Sequence, residues 1–195
     1  MTGRTGLARW LPAILCGMLA GTGSVRAESA VIAPADGRIA LQVDGRMELP
    51  QRYLRHTGTG AVCETASWDG PELFGEVSHC EAVGDRYWRR GYVGIDLLMV
   101  HFPVLADFIV SPPSPEREVE SAVGAMMLYA FAVEDVPGQT SDCSGFVRGY
   151  DSGGMGYHAF IVGYACADRG ALDPARADDL LRGLSVRGAF SALLP

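Results

Sequence analysis

The sequence predicts a single α+β domain: a mostly antiparallel sheet with two helices packed on one face and two hairpins closed by disulfides. Extended runs separated by turn-forming sequences dominate the chain, and the two segments with helical signals come late in it. Four cysteines remain after the processing that the N-terminus predicts, and they form two pairs, each of which brackets a turn sequence.

The N-terminus has the layout of a secretory signal peptide. Two arginines precede an apolar run over residues 10–20, and Val25 and Ala27 are the small residues before a cleavage site after Ala27. We therefore expect residues 1–27 to be removed. The mature protein is then periplasmic or secreted, and no later stretch is long and apolar enough to form a transmembrane segment.

The charge argues against one class of partner. Residues 1–27 contain three arginines and no carboxylate, so cleavage lowers the formal net charge from −7 to −10 and leaves 168 residues. A protein that binds nucleic acid normally carries a basic stripe, and the arginines here are scattered. We expect no nucleic-acid partner.

The first half of the mature chain reads as strands and turns. Residues 28–37 are small and mixed, and we expect a flexible segment that precedes a domain over residues 38–195. The sequence RIALQVDGRMEL alternates apolar and polar residues around Asp44-Gly45, a hairpin signal. Residues 61–83 repeat this pattern around WDGP, and the apolar stretch 92–102 predicts a central strand.

Two helices are predicted in the second half. Ser114 is a candidate N-cap and Pro115 suits the first helical position of a helix whose apolar face continues to about Phe131. Asp173 and Pro174 start a second helix in the same way; Gly183 closes it, and LSVRG follows as a short final strand.

The cysteine spacing predicts which cysteines pair. In an antiparallel hairpin the numbers of opposed residues have a constant sum, so Cys143 and Cys166 place their turn inside DSGGMGY. Cys63 and Cys80 place theirs inside WDGPELFG. Opposed cysteines lie within disulfide range, which predicts one disulfide in each hairpin. Pairing Cys63 with either late cysteine remains the alternative.

The stretch SDCSGFVRGY also suggests a nucleophile. With the histidine of YHAFIVGY, it resembles the cysteine and histidine motifs of the NlpC/P60 cell-wall peptidases. The resemblance implies a thiol peptidase that acts on peptidoglycan stem peptides through Cys143 and His158. It covers about ten residues around Cys143 and about seven around His158. These two residues are 15 apart here and much farther apart in that family. A cysteine held in a disulfide could not attack a carbonyl.

The remaining chemistry-bearing side chains point to binding and not to catalysis. His79 and Cys80 with Cys63 give a weak hint of metal binding, but no ligand spacing supports zinc, and we predict no metal and no cofactor. The sequence DRYWRRGY interleaves aromatic and arginine side chains in an acidic chain. Aromatic faces stack on sugars or apolar groups, and arginine forks hold carboxylates or phosphates. The predicted binding residues are Arg86, Tyr87, Trp88, Arg89, Arg90 and Tyr92.

Two functions follow from these observations. The first is an exported, non-catalytic binding or accessory protein of the cell envelope, with a glycan, lipid or protein partner. The alternative is the thiol peptidase. A core strand with inward aromatics and outward arginines would explain DRYWRRGY without any ligand.

Overall fold

Antiparallel strands make up most of the chain. The structure is a computed structural model that describes residues 28–187, except residues 44, 45, 49–51, 59, 71, 152, 153 and 155. The strands are β1 (Glu28–Ile32), β2 (Ile39–Val43), β3 (Arg46–Glu48), β4 (Arg52–Thr57), β5 (Ala61–Asp69), β6 (Leu73–Ala82), β7 (Ile109–Val119), β8 (Met126–Val136), β9 (Gln139–Asp151), β10 (Tyr157–Ala167) and β11 (Ser185–Val186). The helices are α1 (Leu97–His101), α2 (Pro103–Ala106) and α3 (Pro174–Arg182), and short 3-10 helices cover Pro34–Asp36 and Arg90–Tyr92. The predicted signal peptide lies outside the described residues.

Eight strands form one large sheet, in the order β1-β4-β5-β6-β10-β9-β8-β7. All its neighbouring strands are antiparallel. Strands β4 to β6 are consecutive, as are β7 to β10, and the pairing of β6 with β10 joins these two halves. A smaller sheet has the order β11-β2-β3. Part of the predicted N-terminal segment belongs to the large sheet, because every residue of β1 pairs with β4.

The fold is mainly β, so the predicted α+β class is only partly confirmed. The predicted packing of two helices on one face is confirmed for only one of them: the helix after Asp173 forms and covers one face of the large sheet, and the helix on the opposite face was not predicted. Leu180 and Leu181 of α3 pack into one apolar cluster with β2. Leu97 and Leu98 of α1 pack into the other, which contains both disulfides.

The predicted helix from Ser114 to Phe131 is also wrong. These residues belong to β7, a turn and β8. Strand β8 is buried on both faces: Met126 and Leu128 enter one cluster, and Phe131 and Val133 enter the other. Apolar residues at both parities of a strand can mimic helical spacing. Pro115 fits β7 because this strand lies at the sheet edge, where a missing N–H group is tolerated.

The predicted central strand over residues 92–102 is replaced by helix. The 3-10 helix Arg90–Tyr92 precedes α1 and α2, and Leu97, Leu98 and Phe102 are almost fully buried. A short apolar run does not distinguish a buried strand from a buried helix by periodicity.

Both predicted disulfide hairpins are confirmed. Cys63 opposes Cys80 in the β5–β6 pair, with Cα atoms 4.1 Å apart and a bond between the sulfurs. Cys143 opposes Cys166 in the β9–β10 pair, with Cα atoms 4.0 Å apart. The predicted β2–β3 pairing is also found, although Asp44 and Gly45 lie outside the described residues.

The second predicted helix is confirmed with its caps. The backbone N–H of Ala175 donates to the Asp173 carboxylate over 2.9 Å, and Pro174 occupies the first turn. The N–H of Gly183 donates to the Asp179 carbonyl at the other end. The final strand is β11, which pairs with β2.

Candidate functional site

The predicted binding residues lie in the connection between β6 and β7, and we call residues 86–92 the arginine–tyrosine segment. Arg86, Arg89 and Arg90 are exposed. Tyr87 and Tyr92 are 43% and 50% exposed, so both side chains are accessible to a ligand. Contacts of Trp88 with β10 hold this segment on the sheet.

Trp88 is the anchor of the arginine–tyrosine segment. Its ring meets the buried Phe160 ring edge-on, with centroids 4.8 Å apart. Its backbone N–H donates to the Tyr157 carbonyl, and the Tyr157 N–H donates to the Trp88 carbonyl, each over 2.8 Å. The expectation of an inward aromatic is therefore correct for Trp88 but not for the two tyrosines.

Gly156 permits the close approach of this segment to β10. A Cβ atom at Gly156 would lie 2.3 Å from the Trp88 carbonyl oxygen and 2.7 Å from Cδ2 of Tyr87. Real Cβ atoms do not approach other atoms so closely. Any larger residue would push the segment away from the sheet.

A tight turn holds Arg89 and Tyr92 close to each other. The Tyr92 N–H donates to the Arg89 carbonyl over 2.9 Å, at the start of the 3-10 helix Arg90–Tyr92. The guanidinium groups of Arg86 and Arg89 make no ion pair with any carboxylate among the described residues. The segment therefore exposes two aromatic rings and unneutralised cations.

The proposed peptidase residues do not form a catalytic pair. Cys143 lies in a strand, not at a helix start, and its sulfur is bonded to Cys166. His158 precedes Cys166 by eight residues on β10. At about 3.3 Å per residue, His158 is roughly 26 Å from Cys166, to which Cys143 is bonded. The thiol-peptidase hypothesis is left with neither a free thiol nor an adjacent base.

The residues of the metal hypothesis also separate. Cys63 and Cys80 are bonded to each other, and the neighbouring side chain of His79 points to the opposite face of β6. There the His79 Nε2 atom lies 3.6 Å from Glu81. Within the described part of the chain, no group of three histidine, cysteine or acidic side chains is placed to hold a metal ion.

Sequence reasoning missed a buried carboxyl beside the first disulfide. Glu76 lies on the same face of β6 as Cys80, and its carboxylate accepts a hydrogen bond from the Tyr164 hydroxyl. Burial raises the pKa of Glu76 from 4.5 to about 7, against the opposing effect of the Arg52 cation. The sequence did carry one signal: Glu76 is four residues before Cys80, so the two side chains lie on the same face of the strand.

Three histidines are buried as neutral side chains. Burial lowers the pKa of His101 to about 4, and the nearby His56 adds to the effect. Burial also lowers the pKa values of His56 and His79, the latter to about 4. All three are buried, with His101 the most exposed at 8%, so a substrate has no direct route to them.

A buried glutamate fixes the segment that leads into β2. The Glu64 carboxylate accepts the backbone N–H groups of Arg38 and Ile39 and pairs with Arg55. Arg38 in turn pairs with Glu81 over 2.8 Å. These contacts join the start of β2 to β4, β5 and β6, and they hold the small sheet on the large one.

Comparison with known proteins does not assign the chain to a family. No family model, curated protein or solved structure matches the chain. Among the described residues, none of the helices has the length and apolar character needed to span a bilayer. The two disulfides are consistent with an exported protein.

Proposed function

We propose that this chain is an exported, non-catalytic binding protein of the cell envelope, and that its arginine–tyrosine segment holds an anionic glycan. One observation carries the proposal: Tyr87 and Tyr92 stay exposed on a backbone that Trp88 fixes to the sheet. Because the backbone is already ordered, a ligand would lose little affinity to the ordering of this segment.

The chemistry of the exposed groups favours an acidic sugar. Tyrosine rings provide flat apolar faces for stacking, and a guanidinium fork can bind a carboxylate or phosphate with two parallel hydrogen bonds. Other arginines among the described residues pair with carboxylates of the protein, including Arg38, Arg55, Arg117, Arg176 and Arg182. The unneutralised Arg86 and Arg89 of an acidic chain are suited to an external anion.

Export is supported by the two disulfides and by the signal peptide that the sequence predicts. Disulfides persist in oxidising compartments, such as the periplasm and the cell exterior. A lipid headgroup or an acidic protein could also meet the arginines, and the binding test below includes anionic lipid vesicles as a competing ligand.

Calorimetric titration with an acidic polysaccharide tests the proposal. We expect the mature protein to bind a uronic-acid polymer and not a neutral glucan. Arg86→Ala with Arg89→Ala, and separately Tyr87→Ala with Tyr92→Ala, should each weaken binding by at least about tenfold. The melting temperature should be unchanged, because these four side chains are exposed.

Arg169→Ala is the matched control. Arg169 is an exposed arginine just beyond the far end of β10 from Tyr157, roughly 35 Å away at 3.3 Å per residue. The Arg169→Ala variant should bind the acidic polysaccharide as the wild type does. Equal binding by all the variants would contradict the proposal, as would retention by anionic lipid vesicles with no binding of the polysaccharide.

A further inference from the structure

The two edges of the large sheet are built differently. An edge strand exposes unpaired N–H and C=O groups that can pair with another strand, and natural proteins block such edges with prolines, bulges and charges. The chain blocks one edge in this way and leaves the other open.

Strand β7 is the blocked edge. It contains Pro112, Pro113 and Pro115, which have no N–H group to donate. Its pairing with β8 has three register irregularities, and the charged residues Glu116, Arg117 and Glu118 lie near its end. A second strand could not form a continuous ladder along it.

Strand β1 is the open edge. Its five residues, ESAVI, contain no proline and pair with β4 without a register shift. Val31 is 68% exposed, whereas its neighbour Leu54 on β4 is 8% exposed. Among the described residues no strand pairs with the outer side of β1.

We propose that the outer edge of β1 pairs with β1 of a second copy of this chain, antiparallel and with a two-fold axis at Val31. This register places Val31 of one copy against Val31 of the other and continues the apolar row that starts at Leu54. The two large sheets then join into one.

A second copy fits this edge because the strand is self-complementary about Val31. Pairing of residues 29–33 with themselves brings Ala30 opposite Ile32 and Ser29 opposite Ala33, so that no charged residue opposes another. The two Glu28 carboxylates lie at opposite ends of the paired stretch, about 20 Å apart at 3.3 Å per residue. Like charges at that distance are largely screened at physiological salt.

Pairing at β1 leaves the arginine–tyrosine segment accessible. That segment is attached to β10, which is separated from β1 by β4, β5 and β6. The proposal is therefore independent of the proposed function.

Cysteine cross-linking tests the proposed pairing. The four cysteines of the described chain are all held in disulfides, so Val31→Cys introduces a thiol that can only pair with another molecule. Opposed residues of an antiparallel pair have Cα atoms about 4.5–5.5 Å apart, within disulfide range. Mild oxidation of purified mature protein should give a covalent dimer within minutes.

Val110→Cys is the matched control, because Val110 is 57% exposed on the blocked edge strand. It should cross-link at least about tenfold more slowly than Val31→Cys at the same protein concentration. Sedimentation of the wild type should show a monomer–dimer equilibrium, and Val31→Arg should raise its dissociation constant at least about tenfold. The melting temperatures should agree at protein concentrations low enough for both to be monomeric.

Three results would overturn the inference. The first is a wild type that stays monomeric up to about 0.3 mM, together with no cross-linking at Val31→Cys. The second is equal cross-linking by the two cysteine variants. The third is a Val31→Cys product formed in cells with a different polypeptide, which would assign the edge to a foreign strand.

Discussion

The two disulfide hairpins bury their cystines in the same apolar cluster, but their surroundings differ. Next to Cys63 and Cys80, the neighbouring strands place His56 and Phe160, and the same hairpin buries Thr65, Ser78 and Glu76. Next to Cys143 and Cys166, the neighbouring strands place two phenylalanines, Phe131 and Phe74. Both hairpins bury polar groups, because the β9–β10 hairpin contains the buried Ser141, Ser144 and Tyr164. They differ in the residues that flank the cystine: a histidine and a phenylalanine in the first, and two phenylalanines in the second.

The β9–β10 hairpin also supports the helical connection. A Cβ atom at Gly145 would lie 3.2 Å from the Leu98 side chain of α1 and 3.3 Å from Phe131. The flat surface around this glycine lets α1 lie directly on the sheet. The comparison shows that two similar disulfides can have different surroundings: only the second lies in the hairpin whose Gly145 is in close contact with α1.

Removal of either disulfide should have the largest effect. Loops of 17 and 23 residues each predict a loss of about 3 kcal/mol in the free energy of unfolding, and they differ by only about 0.3 kcal/mol. We expect Cys143→Ala with Cys166→Ala to be slightly the more destabilising pair in urea denaturation. A loss more than about 1.5 kcal/mol greater for the Cys63 and Cys80 pair would contradict a mainly entropic role.

Glu76→Gln should stabilise the β5–β6 side of the sheet, but only at neutral to alkaline pH. The pKa of Glu76 is about 7 when folded and near 4.5 when unfolded. Between these values the unfolded chain releases the proton first, so the free energy of unfolding falls as pH rises from about 4.5 to 7. Because glutamine does not titrate, the variant does not lose this stability. Its free energy of unfolding should exceed that of the wild type by about 2–3 kcal/mol at pH 8 and by little at pH 4.

Denaturation at both pH values measures this difference, with Glu72→Gln as the control. Glu72 is 63% exposed and lies near the start of the same strand. A Glu76→Gln gain that is the same at pH 4 and pH 8 would show that the carboxyl is not the titrating group.

The smallest effect should come from the hydroxyl pair of the first hairpin. Thr65 and Ser78 oppose each other and share a buried hydrogen bond. Ser78→Ala leaves the Thr65 hydroxyl without its partner, and we expect a loss of about 1–2 kcal/mol.

The double variant sharpens this result. Thr65→Val together with Ser78→Ala removes both polar atoms and should restore most of the stability. Thermal denaturation gives the comparison. A double variant that is less stable than Ser78→Ala alone would show that the hydroxyls have further partners.

The features that the sequence predicts correctly depend on local signals. The hairpins follow from turn residues and cysteine parity, and α3 follows from Asp173, Pro174 and Gly183. The stretch over residues 114–131 has equally good helical signals, but β8 is buried on both faces by contacts distant in sequence, and these override local propensity. The sheet order depends on the β6–β10 pairing, which no local pattern specifies.

The candidate site was partly visible in the same way. The composition of DRYWRRGY identifies the segment, but alternation cannot say which aromatic side chain is buried. That is decided by Phe160 and Tyr157 on β10, about 70 residues later in the chain. Burial raises the pKa of Glu76, and part of that burial comes from the same distant strand, where Tyr164 lies opposite Glu76.

The bridge between Trp88 and Tyr157 also sets an order of events during folding. Closing this long loop is entropically unfavourable until β9 and β10 have formed and given Trp88 a surface to pack on. The arginine–tyrosine segment is therefore among the last parts to acquire its final shape. If this segment binds the proposed ligand, only molecules that have finished folding would present its side chains on a fixed backbone.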